Sequence, residues 1–82
     1  MSASARSIYH RLRTLIAETL GVEESEVVLE ASFEDDLNAD HQDLADLLAA
    51  VEEEFDVVIR EDEMASLTTV GDLVELLEDK VG

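Results

Sequence analysis

The stretch FEDDLNADHQDLADLLAAVEEEFD, from Phe33 to Asp56, decides the fold. From Asp43 onward its apolar residues are Leu44, Leu47, Leu48, Val51 and Phe55, at i, i+3, i+4, i+7 and i+11. That spacing lines one face of a helix with about 3.6 residues per turn. Asp43, Asp46, Glu52, Glu53 and Glu54 share the opposite face, and neither Lys nor Arg occurs from Phe33 to Val58. Asp40 stands three places before Asp43, which is capping-box spacing, so Asp40 is the predicted N-cap of a helix running to about Phe55. Asn38 marks the turn ahead of it, because asparagine tolerates left-handed backbone better than most residues.

Upstream, Ile8, Leu12, Leu15, Ile16 and Leu20 predict a first amphipathic helix from Ser7 that stops at Gly21. Residues 1–5 are expected to fray. Arg6, Arg11 and Arg13 belong to this region, which puts the positive charge away from the acidic stretch. A long connection follows. Glu23 to Val27 is permissive of a helical turn, and Val27, Val28 and Leu29 are expected to anchor the loop in the core without a strand partner. Phe33 and Leu37 are further anchors, with Glu34, Asp35 and Asp36 exposed between them.

Downstream, Val57 to Ile59 reads as extended. Arg60 to Ser66 reads as a short helix with acids in its first turn and with Met64 and Leu67 inward. Thr69 and Asp72 repeat the capping-box spacing. They open a last helix that buries Val70, Leu73, Val74, Leu77 and Val81, with Lys80 suited to its C-terminal dipole. The predicted fold is all-α: a small bundle of three main helices plus one short helix, with a long loop after the first, in a single domain spanning 1–82.

Charge narrows the function. Twenty-two acids face five bases, for a net charge of −17 over 82 residues. Such a surface repels nucleic acid and anionic membrane and suits basic protein surfaces or divalent cations. There is no cysteine, so no thiolate metal site and no disulfide. No apolar run approaches the roughly 18 residues of a membrane span, and no signal-peptide pattern occurs. A cytoplasmic monomer is expected.

With these pieces laid out, the chain resembles the acyl carrier proteins of fatty-acid synthesis, from Ile8 to Val81. The resemblance rests on LGVEESEV (20–27), EASFEDDLNAD (30–40), DLADLLAAVEEEFDVVI (43–59) and LTTVGDLVELL (67–77). It implies a non-enzymatic carrier of lipid metabolism. In that family a serine directly after an Asp, in a D-S-L triplet opening the second helix, holds a 4′-phosphopantetheine arm whose thiol bears the acyl chain. The acidic second helix docks on basic patches of acyl-chain-processing enzymes. Carried over here, the docking residues are Asp36, Asp40, Asp43, Asp46, Glu52 and Glu53.

The Asp is present as Asp40, but His41 and Gln42 follow it where the resemblance calls for serine and leucine. Arm attachment needs a hydroxyl that yields a stable phosphodiester, and imidazole offers only a labile phosphoramidate. Two adjacent departures favour natural divergence over a designed knockout, which would usually change the serine alone. The reading is therefore an acyl-carrier-like module that docks basic partners through its second helix and holds no cofactor. The alternative is a working acyl carrier protein. An acidic mimic of nucleic acid explains the charge but not the family-like core. His41 reads as a solvated residue; with Asp36 and Asp40 it offers at most a weak divalent-cation site. No nucleophile, base and orienting group converge in the pattern, so no catalytic residue is assigned.

Clustered carboxylates predict a fold that is marginal at neutral pH and low ionic strength. Magnesium, calcium or added salt should raise the melting temperature, and a thermal transition indifferent to divalent cation would contradict this.

Overall fold

The computed structural model describes residues 5–81. Its helices are α1 (Ala5–Leu20), α2 (His41–Phe55), α3 (Glu61–Ala65) and α4 (Val70–Val81), with a single 3₁₀ turn at Glu24–Glu26. The expected fraying of residues 1–5 lies outside the described residues, except that Ala5 already opens α1. The all-α architecture and the order of elements agree with the hydrophobic periods. The main interhelical packing is α1 against α2 and α1 against α4.

Each long helix contributes the face its period marks: Ile8, Leu12 and Ile16 from α1, Leu47, Leu48, Val51 and Phe55 from α2, and Val70, Leu73, Val74 and Leu77 from α4, while Val81, expected to be buried with them, is only half-buried at the end of the helix. Among the described residues no polar or charged side chain is buried. Hydrophobic burial therefore assembles the core without a desolvated charge to offset it.

The helix ends follow their caps. At α2 the Asp43 N–H donates to Asp40 Oδ1 (2.8 Å) and the Asp40 N–H donates back to Asp43 Oδ2 (3.2 Å). The helix ends where Asp56 turns left-handed at φ 55°, and Asn38 sits at φ 57° ahead of the Asp40 cap. At α4 the Asp72 N–H donates to Thr69 Oγ1, while Asp72 Oδ2 accepts from the N–H groups of both Thr68 and Thr69 at 3.1 Å.

The long connection is more ordered than a loop. The N–H of Phe33 donates to Thr68 O (3.0 Å) and that of Val70 to Ala31 O (3.0 Å), around an antiparallel bridge between Ser32 and Thr69. The Gly71 N–H donates to Leu29 O at 2.9 Å. A Cβ on Gly71 would approach that oxygen to 3.2 Å, so the absence of a side chain permits the contact. The Tyr9 hydroxyl donates to Val27 O (2.6 Å) and ties the same connection to α1.

Two expectations need correction. Val27 is buried, but Val28 and Leu29 lie on the surface at 43% and 45% exposure. The chain turns there, with Ala31 N–H donating to Val28 O, and Leu29 anchors the connection through its carbonyl instead of its side chain. The positive charge of α1 is also not remote from the acidic stretch. Arg11 Nη2 donates to the carbonyl (2.9 Å) and Oε2 (3.1 Å) of Glu54, and its guanidinium stacks 4.3 Å over the Phe55 ring. This closes the C-terminus of α2 with a cation, where the helix dipole favours one.

The Asp72 carboxyl is held below its ordinary value, chiefly by the Thr69 N–H and then by that of Thr68. Its stabilisation is complete above the ordinary carboxylate range and is lost as pH falls through the lowered folded value. Asp72→Ala should cost about 1–2 kcal/mol at neutral pH. In urea titrations the gap to wild type should begin to narrow as pH falls into the ordinary carboxylate range and close only as it falls through the lowered value, and a pH-independent gap would count against the cap.

Candidate functional site

The start of α2 is built by its cap. Asp40 leaves the connection in extended backbone (φ −87°, ψ −176°), spends a side-chain oxygen on the third helical N–H, and delivers His41 as the first helical residue. His41 and Gln42 are exposed. Gln42 lies over the next turn, where its Nε2 donates to Asp46 Oδ1 at 3.0 Å.

Beside this turn a cleft of about 690 Å³ separates α2 from α3. Asp40, His41, Leu44 and Ala45 form one wall; Glu61, Met64 and Ala65 of α3 form the other. Ser32, Phe33, Leu67 and Thr68 close it below. Leu44, Met64 and Leu67 are only half-buried although they pack on the core, because their free sides face this space. Of the five residues on the α2 apolar face, Leu44 alone is not fully buried. The mouth is acidic, with Glu34, Asp40 and Glu61 around His41.

Ser32 is the functional-type residue that periodicity did not bring here. Its N–H donates to Asp36 Oδ2 (2.7 Å) and its Oγ accepts the Asp35 N–H (3.3 Å). The Ser32-to-Asp36 spacing was a legible turn signal. Its meeting with α2 across the cleft depends on the Ser32–Thr69 bridge and could not be read locally. Asp36 is therefore engaged at the far side of its turn and Asp40 at its cap. Among the described residues no group of three His, Asp or Glu side chains is placed to hold a metal ion. Nor is any helix there long and apolar enough to cross a membrane.

Residues 10–77 match the protein family described as the phosphopantetheine attachment site. The chain is similar to an acyl carrier protein of Thermotoga maritima, 42% identical over 80 residues that cover 98% of this chain and 99% of the relative. It is also similar to an acyl carrier protein of Petrotoga mobilis, 43% identical over 74 residues that cover 90% of this chain and 87% of the relative.

The six acids expected on the docking face are not equivalent. Asp36, Asp40 and Asp43 accept backbone N–H bonds, and Glu52 Oε2 accepts the Ile59 N–H at 2.7 Å. Asp46 meets only the Gln42 amide, and Glu53 is exposed. A carboxylate with one accepted bond still has most of its acceptor sites open, so the engaged acids are fixed in place without being used up. Glu52→Ala should lower stability by about 1–2 kcal/mol, whereas Glu53→Ala should stay within about 0.5 kcal/mol of wild type. Paired chemical-denaturation midpoints test the difference.

Proposed function

Because the chain belongs to the acyl carrier protein family, a family of carriers and not of catalysts, we propose that it is a carrier-fold docking module without a covalent arm. The observation that carries this reading is the first turn of α2, where Asp40 caps the helix and the exposed residue after it is His41. That is the position where the resemblance calls for the attachment serine. 4′-Phosphopantetheine does not fit this residue: a phosphodiester needs a hydroxyl oxygen, and an imidazole nitrogen supplies none. What remains is the docking half of the family's function. An acidic α2 with no Lys or Arg presents Asp40, Asp43, Asp46, Glu52 and Glu53, beside Asp36, to a basic surface on an acyl-chain-processing enzyme.

A second reading has its own support. Family membership favours a loaded carrier, and the Ser32 hydroxyl lines the same cleft as His41. Against it, Ser32 lies in the bridged connection and its Oγ already accepts the Asp35 N–H.

Mass spectrometry after incubation with coenzyme A and a phosphopantetheinyl transferase separates the two. The wild type should show no gain, while His41→Ser with Gln42→Leu should gain about 340 Da, on the order of the arm's mass. A gain on the wild type overturns the proposal, and its mapping to Ser32 would establish the second reading.

A further inference from the structure

The C-terminal end of α2 holds a guanidinium, and it is the chain's own. Arg11 Nη2 of α1 donates to the backbone carbonyl (2.9 Å) and to Oε2 (3.1 Å) of Glu54, and its Cζ lies 4.3 Å from the centre of the Phe55 ring. A carboxylate, a helix-end carbonyl and an aromatic face together make a site for a planar cation. Glu54 closes the Glu52–Glu54 run, yet it is not among the six acids of the docking face.

The hold on this guanidinium is weak. Both bonds leave the same nitrogen, so the carboxylate does not meet the fork of the guanidinium through two parallel bonds. Each side chain is 48% exposed, and an exposed pair adds little net stability. A groove of about 400 Å³ runs beside the pair, with Leu15 and Glu18 of α1 in its lining. Leu15 is half-buried and offers its open side to the aliphatic stem of an incoming arginine, while Glu18 gives the groove a second carboxylate.

We propose that Arg11 is an internal competitor of the docking partner: it fills a guanidinium site at Glu54 and Phe55 and so keeps the last turn of α2 out of the acidic docking face. The inference rests on the docking reading above and adds to it a specificity-determining residue on α1. A partner whose basic side chains meet α2 ahead of Glu54 faces no competition. One that places an arginine at the last turn must displace Arg11, losing two hydrogen bonds and a ring contact of the same kind as those it would make. The exchange yields almost no net gain. The acidic helix therefore sorts basic surfaces by where their arginines stand, which is discrimination through a competing contact.

The test titrates the full chain with hexa-arginine and hexalysine peptides at low ionic strength and follows the backbone amides and the Phe55 ring by NMR. In wild type, shifts should fall on α2 up to Glu53 and spare Glu54 and Phe55. Arg11→Gln should bind hexa-arginine about threefold more tightly, gain shifts at Glu54 and the Phe55 ring, and prefer hexa-arginine over hexalysine more than wild type does. Arg11→Lys keeps the net charge but loses the planar fork, and should gain the same shifts with a smaller rise in affinity. Adding Glu54→Gln to Arg11→Gln should return the affinity to that of wild type, at the same net charge. Equal tightening by Arg6→Gln, which makes the same charge change elsewhere on α1, overturns the competitor, as do Arg11 variants whose shifts stop at Glu53. Absence of shifts on α2 in wild type and every variant overturns the docking reading with it.

Discussion

The pairing of Ala31–Phe33 with Thr68–Val70 holds together the end of the molecule where α2 begins. Two backbone hydrogen bonds around the Ser32–Thr69 bridge fasten the long α1–α2 connection to the entry of α4. They place Phe33 in the core at 2% exposure and set Ser32 at the base of the cleft. They also fix where α3 must end, because Thr68 accepts from Phe33. The turn through Asn38 to Asp40 then has a fixed origin, with Ala39 N–H donating to Phe33 O at 2.8 Å. Without this pairing the helices could still pack, but the cleft would have no floor and the start of α2 no fixed neighbour.

A net charge of −17 would be expected to oppose compaction, and the fold answers by using carboxylates where a helix end wants them. Asp40 and Asp43 open α2, Glu61, Asp62 and Glu63 open α3, and Asp72 opens α4. At each place the negative charge meets unpaired N–H groups and the positive end of the dipole. Bases are spent as sparingly. Arg11, Arg13, Arg60 and Lys80, four of the five, stand in ion pairs, two of them bridging elements far apart in sequence: Arg11 to Glu54 and Lys80 to Glu63. Exposed pairs such as Arg11–Glu54 contribute little each. Their placement at α2's C-terminus and α3's middle matters more than their number.

This division explains what could be read in the residues. Helix positions and ends were legible because they depend on local spacing: the apolar periods of α1, α2 and α4, and the capping boxes at Asp40–Asp43 and Thr69–Asp72. Asn38 announced its left-handed turn for the same reason. The bridge was not legible, since Thr69 reads as a helix cap, Ser32 stands in no strand-like run, and the two meet only after the bundle forms. Val28 and Leu29 misled, because an apolar side chain suggests burial while here Leu29 is held by its carbonyl. At the site, the acids of α2 were visible as a charged face. That Glu52 is occupied by Ile59, or that Glu54 belongs to Arg11, follows from tertiary contacts and left no mark in the pattern.

The same contacts bear on how an acidic face can dock. A flexible surface carboxylate loses rotamer freedom when a partner's arginine captures it, and that loss offsets much of the gain. Asp40, Asp43 and Glu52 have already given up that freedom to backbone N–H groups within the fold. Their carboxylates are thereby held in a set geometry. Position 41 is presented by the same device. The Asp40 cap sets the backbone of the first helical residue whatever side chain follows, and that side chain points into solvent beside the cleft. A serine or a histidine there would leave cap, helix and core alike. The chemistry of the turn is therefore free to change while the fold and the acidic face of α2 stay as they are.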